Sequence, residues 1–291
     1  MNRFAVFSLI LFWAASPHIL AQAKGPIHWS AINATPIPET AEMLADGRRL
    51  YGLHCTRCHG DDGRGNGPDV KDITNKPRDF GAGFFKARTT SPKGFPSDLD
   101  FFRTITAGFP AFDMPALGQL SERDRWALVY HTRKVIASAM EGAITGKLKK
   151  DGEVVDEARI RKTVNERMRP GKLVKLPKEP GGSREASIRR GKITYIRGDY
   201  RCANCHGPQG KGDGPNAATM KDEWGFKISP RDITKGARLR KFVYTPEDMV
   251  RVILTGIHGT PMPSFDWAAT FPDGIKEIWD VARYVESLEK K

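Results

Sequence analysis

Cys55-Thr-Arg-Cys58-His59 and Cys202-Ala-Asn-Cys205-His206 are the two stretches that decide the fold of this 291-residue chain. Together they contain all four cysteines of the sequence, and a histidine follows the second cysteine of each pair. A Cys-x-x-Cys pair alone fits a zinc site, a redox dithiol or a disulfide, whereas Cys-x-x-Cys-His is the pattern of covalent haem attachment. The same pattern twice in one chain predicts two haem groups.

The chemistry of attachment explains this spacing. Two thiols on one turn of backbone can each bond to the same porphyrin, while the adjacent imidazole faces the iron. We therefore predict two covalently bound haem c groups with one iron each. The predicted attachment residues are Cys55, Cys58, Cys202 and Cys205, and the predicted proximal iron ligands are His59 and His206.

Two other interpretations of the cysteines are weaker. A zinc ribbon places its Cys-x-x-Cys pairs about 15 to 20 residues apart, whereas 147 residues separate Cys55 from Cys202. Structural disulfides are compatible with an exported protein. They leave the two adjacent histidines unexplained, so haem attachment is the favoured interpretation.

The sequence repeats itself on both sides of these stretches. Upstream of each, a glycine precedes a tyrosine by four residues, which is about one helical turn. A glycine on a buried helix face would let a second helix cross closely, and a tryptophan-bearing amphipathic segment ends each repeat. The helices expected to cross carry Gly47 and Trp126 in the first repeat, and Gly191 and Trp279 in the second. These patterns predict an all-α fold.

A further helix is predicted between the two crossing helices of each repeat. Ser97 and Thr245 have the features of helix N-caps, and Pro246 follows the second of them. Each of these helices is expected to stop at a glycine, Gly108 or Gly256, in the left-handed conformation common at helix ends.

A Met-Pro pair follows each of these glycines by six residues. Met114 lies 55 residues after His59, and Met262 lies 56 residues after His206. A thioether suits iron as a sixth ligand and raises its reduction potential. We predict Met114 and Met262 as the distal iron ligands, with His258 as a competing candidate for the second iron because imidazole also binds iron.

The combined features resemble class I c-type cytochromes, specifically the tandem dihaem proteins of bacterial respiratory chains. The resemblance covers residues 41–137 and 188–291. It implies two tandem cytochrome c domains, each a few helices wrapped around one covalently bound haem, joined by a long charged linker.

The resemblance also implies a partner for each proximal histidine. In this family a proline carbonyl after the haem motif accepts the imidazole N–H, and Pro68 and Pro215 match that position. Arg78 and Arg231 lie in paired Pro-Arg-Asp sequences. They are predicted to hold haem propionates through charge-assisted hydrogen bonds, with solvated surface arginines as the open alternative.

The remaining segments complete the predicted organisation. Residues 1–23 have the layout of a cleaved secretory signal peptide, with one early charge, an apolar run and an Ala-Gln-Ala end. The apolar run is about half of the roughly 20 residues that a membrane span needs. Residues 24–40 form an N-terminal extension, and residues 138–187 form a charged linker that is either a disordered tether or a strap across both domains. We predict a periplasmic protein without a transmembrane segment.

The charge distribution indicates which kind of partner the protein binds. The net charge of +13 is spread along the chain instead of forming one basic stripe, which argues against nucleic-acid binding and favours redox protein partners with acidic docking surfaces.

The predicted function is single-electron transfer between respiratory partners, without a catalytic residue, as a shuttle or as a subunit of a larger oxidoreductase. The alternative is a dihaem enzyme, a peroxidase or an oxidase of a small sulfur compound, which needs one exchangeable haem ligand.

Overall fold

The computed structural model describes residues 28–92, 94–109, 113–235 and 245–289. The predicted signal peptide, residues 1–23, lies outside these ranges. The α-helices are α1 (Ala41–His54), α2 (Thr56–His59), α3 (Asp98–Ala107), α4 (Glu122–Lys150), α5 (Glu157–Arg167), α6 (Arg184–Arg197), α7 (Cys202–His206), α8 (Pro246–Thr255) and α9 (Gly274–Ser287). Short 3-10 turns and isolated β-bridges complete the regular structure of the described residues, which confirms the all-α expectation.

The described chain consists of three parts. The first half is residues 28–150, the strap is residues 151–183, and the second half is residues 184–289. Each half has its own apolar core, one around Trp126 and one around Trp279. Trp126 is fully buried and stacks on Phe102 of α3 at 4.5 Å between ring centroids.

The predicted helix crossings are present in both halves. α1 packs on α4, and α6 packs on α9. A methyl group built on Gly47 would lie 2.2 Å from the carbonyl oxygen of Ala127, and one built on Gly191 would lie 1.8 Å from the carbonyl oxygen of Asp280. Only a residue without a side chain allows backbones to approach this closely.

The predicted caps of the intermediate helices are confirmed at their N-termini. Ser97 with Asp100 opens α3, and Thr245 with Asp248 opens α8, each through a reciprocal pair of side-chain-to-backbone hydrogen bonds.

The C-terminal ends of these two helices differ in detail from the expectation. Gly108 and Gly256 follow the last helical residues, with φ of 57° and 63°. Their ψ values of −167° and −170° lie outside the left-handed helical region. With this extended ψ the chain leaves the helix directly into the methionine loop. The loop packs closely on Gly108, since a methyl group built there would lie 2.4 Å from the Pro115 carbonyl oxygen.

The charged segment between the halves is ordered and begins inside a helix. α4 does not stop near residue 137 but runs to Lys150, since the sequence has no proline in this stretch and the isolated Gly142 and Gly146 are tolerated inside a helix. Gly152 then adopts a φ of 72°. α5 follows and places Ile160, Val164 and Met168 in the core of the first half.

The strap then crosses to the second half. Its backbone pairs with residues 89–95 of the first half, where Ser91 N–H donates to the Lys172 carbonyl at 2.8 Å. Beyond this point Val174 and Leu176 pack on the second core. The indole N–H of Trp279 donates to the Pro177 carbonyl at 3.2 Å. Of the two alternatives for this segment, the contacts match a strap across both halves.

Length and apolar character decide whether a helix can cross a membrane. Among the described residues, the helices lack the combination of length and apolar character that a membrane crossing requires.

The close helix crossing generates a stability prediction with a control on the same helix. Gly47→Ala should lower the free energy of unfolding by roughly 1–3 kcal/mol, because the added methyl group would overlap a backbone oxygen that cannot move aside. Gly52 lies on the open side of α1 with nothing within 4 Å of its methyl position. Gly52→Ala should raise stability by up to about 1 kcal/mol through helix propensity. Urea unfolding followed by far-ultraviolet circular dichroism measures both, and equal effects would contradict the crossing.

Candidate haem-binding sites

Each cysteine motif lies on a short helix that ends at a glycine. α2 and α7 carry the motifs, and Gly60 and Gly207 end them with φ of 75° and 74°. A tyrosine on the preceding helix holds each of these ends. The Tyr51 hydroxyl donates to the Gly60 carbonyl at 3.2 Å, and the Tyr195 hydroxyl donates to the Gly207 carbonyl at 3.0 Å.

The glycine-rich loops fold back onto the motifs in the same way in both halves. Gly65 N–H donates to the His59 carbonyl at 2.9 Å, and Gly212 N–H donates to the His206 carbonyl at 2.8 Å. These hydrogen bonds hold the backbone carbonyl of each histidine. The loops therefore support the motif.

The thiols are at least partly buried, and they are protonated. All four cysteines are free. Burial raises the pKa of Cys55 and of Cys202 to about 12 and also raises the pKa of Cys58 and Cys205. A catalytic dithiol depends on a thiolate with a lowered pKa, so these raised values argue against that role. The paired thiols remain suited to attachment of one porphyrin at two points.

The two histidines are partly buried, and desolvation favours their neutral form, but their partners differ. Burial lowers the pKa of His59 to about 4, and its ring stacks on Phe80 at 4.9 Å between centroids. Its Nδ1 is buried without a hydrogen-bond partner in the described part of the chain. Burial also lowers the pKa of His206, whose Nδ1 lies 3.3 Å from the Arg231 carbonyl oxygen. Neutral imidazole is the form that binds iron.

The predicted methionines lie in loops that close on themselves. The backbones of Phe109 and Met114 pair in both directions, at 2.8 and 3.3 Å, and Ile257 N–H donates to the Met262 carbonyl at 3.2 Å. Residues 110–112 of the first loop lie outside the described ranges. Both methionine side chains are partly buried. In each half, one element thus carries the cysteines and histidine, and a separate closed loop presents a thioether.

The donor set in each half fits a covalently bound haem. It combines two neutral thiols, a neutral imidazole and a thioether. The unsatisfied Nδ1 of His59 is also unusual, since buried polar atoms are normally paired.

Comparisons with known proteins agree with this arrangement. Residues 42–131 match the family model for cytochrome c oxidase, cbb3-type, subunit III. Residues 189–289 match the family model for cytochrome c. A chain in the solved structure of the Kuenenia stuttgartiensis reducing HAO-like protein complex Kustc0457/Kustc0458 is 31% identical to this chain, with a TM-score of 0.68. That similarity covers 89% of this chain and 100% of the other. No curated protein matches the sequence.

The chain belongs to the tandem dihaem c-type cytochromes. The cytochrome carries two covalently bound haem c groups, attached at its two Cys-x-x-Cys-His motifs. Bound haem c supplies a one-electron iron couple whose potential depends on the axial ligands and their surroundings.

In the structure of this cytochrome, Nδ1 of His206 lies beside the carbonyl of Arg231. Gly212 packs on the same segment, since its methyl position would lie 2.3 Å from the Pro230 carbonyl oxygen, and Gly65 packs on Pro77 in the same way, at 2.6 Å. Contact of a Pro68 or Pro215 carbonyl with an imidazole stays a prediction. Pro68 opens the 3-10 turn Pro68–Asp72.

Arg78 has a partner within the protein, and its contact with a haem propionate stays a prediction. The Arg78 side chain binds the buried carboxylate of Asp222, with Nε at 3.0 Å and Nη2 at 2.9 Å from Oδ2. Arg78 therefore joins the two halves. Arg231 contributes its backbone carbonyl to His206, and contact of its side chain with a propionate stays a prediction.

Sequence analysis did not identify the residues of the second half that meet Arg78. Asp222 and Trp224 lie between Pro215 and Pro230, which are 15 residues apart, whereas Pro68 and Pro77 are nine apart. The six extra residues were the available signal. An insertion within an otherwise regular repeat marks a feature that only one half possesses.

The two methionine loops of the cytochrome are held by different contacts. In the first, the Asp113 carboxylate accepts hydrogen bonds from the backbone and side-chain N–H groups of Asn75, at 2.9 and 3.1 Å. Asp113 has a φ of 64°, a conformation that aspartate and asparagine tolerate better than most residues. In the second loop, the Thr260 hydroxyl accepts from Met262 N–H at 3.2 Å.

These contacts predict different effects for two substitutions at one position. Asp113→Ala removes the carboxylate that holds the first loop. If Met114 binds iron as predicted, this change should weaken only that bond, with loss of about half of the far-red methionine-to-ferric-iron absorption. Asp113→Asn keeps an acceptor oxygen and the tolerance for positive φ, so it should preserve the band. Optical spectra of the ferric holoproteins measure this, and a full-strength band in Asp113→Ala would show that the contact does not hold the loop.

Proposed function

We propose that this cytochrome transfers single electrons as an exported subunit of a larger oxidoreductase. Its irons would be bound by His59 with Met114 and by His206 with Met262. The observation that carries the proposal is the same pairing in both halves, a partly buried histidine at the end of a motif helix and a methionine in a separate closed loop.

The residues of the chain have defined tasks in this proposal. The partly buried imidazoles bind the iron in their neutral form, and the Arg231 carbonyl would fix the orientation of one ring through its Nδ1. The methionine loops would supply the second protein ligand of each iron and so leave no position for water or exogenous ligands. An electron carrier gains from this arrangement, because unchanged coordination in both oxidation states keeps structural change during transfer small.

The enzyme alternative requires a different coordination. Peroxidase or small sulfur-compound oxidase chemistry needs an exchangeable position on one iron. Two methionine ligands would close both irons, and all four thiols are used in attachment, so no thiol is left to act as ligand or nucleophile. Electron transfer is therefore the better-supported proposal.

The similarity to a solved chain supports the proposal that this cytochrome is a subunit of a complex. The similar solved chain comes from a reducing HAO-like protein complex, and its whole length aligns with this cytochrome. The distributed positive charge of this chain would favour acidic docking surfaces on a partner. We infer a stable oxidoreductase partner, with a freely diffusing shuttle as the alternative within the same chemistry.

Export follows from the predicted leader and from the cofactor. Residues 1–23 have the composition of a signal peptide that is cleaved after Ala23. We propose that the mature cytochrome begins near Lys24 and works in the periplasm, in a bacterial respiratory chain.

The axial ligands can be tested one at a time. Met114→Ala and Met262→Ala should each open one iron, so that the ferrous holoprotein binds about one carbon monoxide per chain while the unchanged protein binds almost none. Met220 is partly buried outside the methionine loops and has no counterpart in the first half, so Met220→Ala is the control and should bind none. Carbon monoxide titration of the Soret band measures the stoichiometry. If neither loop variant binds the gas, the ligand assignment is wrong.

The complex can be tested by purification from the native host. A tagged cytochrome should retain its partner in fixed stoichiometry at about 0.15 M salt, where charges further apart than about 8 Å are screened. Size-exclusion chromatography with haem absorption measures this. Elution of the cytochrome alone, as a monomer, would contradict the subunit proposal and favour a shuttle.

A further inference from the structure

A segment of the first half lies directly against the methionine loop of the second half. The Arg78–Asp222 ion pair joins the start of this segment to the insertion of the second half. The indole N–H of Trp224 donates to the Asp79 carbonyl at 3.3 Å. The same segment contains Phe80, which stacks on the proximal histidine His59. The contact between the halves thus lies next to His59 of the first haem site and includes the methionine loop of the second.

Phe84 is the residue of this segment that touches the loop. Its ring meets Trp224 edge to face at 5.5 Å between centroids, and it meets the imidazole of His258 edge to face at 4.8 Å. His258 lies four residues before Met262 in the same loop. A side chain of the first half therefore contacts the residue that competes with the predicted ligand of the second iron.

Gly259 shows how tightly the loop is held. A methyl group built there would lie 2.7 Å from Cζ3 of Trp224 and 2.9 Å from Cβ of Phe84. Its φ of 78° also favours glycine. Its carbonyl accepts a hydrogen bond from Glu223 N–H at 3.1 Å. The loop backbone is thus enclosed by aromatic groups from both halves.

Met262 itself packs in an apolar cluster shared by the halves. Its buried members Trp29, Ala87 and Ala107 come from the first half, and Val252 comes from the second. The first methionine loop is tied within its own half by Asp113 and Asn75. In the gapless alignment of the two loops, Pro261 takes the place of Asp113, so the second loop has no carboxylate at this point.

His258 has the chemistry of an iron ligand, and its ring packs on Phe84 of the first half. Its Nδ1 is buried and has no hydrogen-bond partner among the residues that the structure describes. Imidazole binds haem iron readily, and iron coordination is one way to satisfy a buried imidazole nitrogen. The edge-to-face contact with Phe84 fixes the ring against the first half.

We propose that Phe84 positions the methionine loop of the second half and keeps His258 away from the second iron, so that Met262 binds there. The inference rests on the axial ligands given under the proposed function. It makes Phe84 a positioning residue, because it acts through the loop and not on the iron. Coordination of the second haem then depends on the contact between the halves.

The test uses the holoprotein and compares variants at Phe84. Phe84→Ala should lose the far-red methionine-to-iron band of one haem and should show bis-histidine signals in electron paramagnetic resonance. The reduction potential of that haem should fall, since methionine raises the potential relative to histidine. Phe84→Tyr keeps the ring and should resemble the unchanged protein. The double variant Phe84→Ala/His258→Gln should lose the bis-histidine signals.

Two further variants serve as a control and as a replacement. Phe271 is an exposed aromatic residue of the second half that contacts Trp267, so Phe271→Ala should leave both bands intact. If Phe84→Ala does not fold, Gly259→Ala should produce the same spectra, because it displaces the loop without removing Phe84.

The outcomes separate this inference from the proposed function. If the unchanged cytochrome shows no methionine band from its second haem, the ligand assignment fails. If it shows both bands and both survive in Phe84→Ala, or in Gly259→Ala where that variant replaces it, the positioning role is wrong while the assignment stands. Loss of one band without bis-histidine signals would overturn the part played by His258.

Discussion

The close crossing of two helices at a glycine is the constraint on which each half of the cytochrome depends. At Gly47 and at Gly191, the neighbouring helix approaches until a backbone oxygen fills the space of a side chain. This approach places the tyrosine one turn further along beside the end of the attachment helix. The hydroxyl groups of Tyr51 and Tyr195 then hold Gly60 and Gly207, where the chain leaves the haem motif. The crossing therefore determines where the proximal histidine lies.

Features present in both repeats could be predicted from the sequence. The haem motifs, the helices that cross at glycine, the capped intermediate helices and the closing glycines each occur twice with almost equal spacing. A repeat of this kind reveals what each half needs to bind its own cofactor. The structure adds that Gly108 and Gly256 combine positive φ with extended ψ, which depends on the packing of the following loop.

Features present in one half alone could not be predicted in this way. The Arg78–Asp222 pair joins a residue of the repeat to a residue of the insertion, and the strap has no counterpart at all. The contact of the Arg231 carbonyl with His206 joins residues 25 apart in the chain, and the matching contact is absent at His59 in the described structure. These contacts arise between segments far apart in the chain. Periodicity and motifs describe only neighbours in sequence.

The same contacts make the two haem sites unequal. His206 has a carbonyl partner, whereas the buried Nδ1 of His59 has none in the described structure and its ring stacks on Phe80. One methionine loop is tied by a carboxylate, and the other is enclosed by aromatic residues from both halves. Hydrogen bonding to the proximal histidine and burial of the haem both change the reduction potential of the iron. A chain with duplicated motifs thus has the means to give its two haems different potentials.

The intact mass of the protein purified from a host with a cytochrome maturation system tests the account most directly. The account predicts a single species whose mass exceeds that of its polypeptide by two haem groups, and which keeps both haems under denaturing conditions. A mass without haem, with one haem, or with zinc or disulfides in place of haem would contradict it.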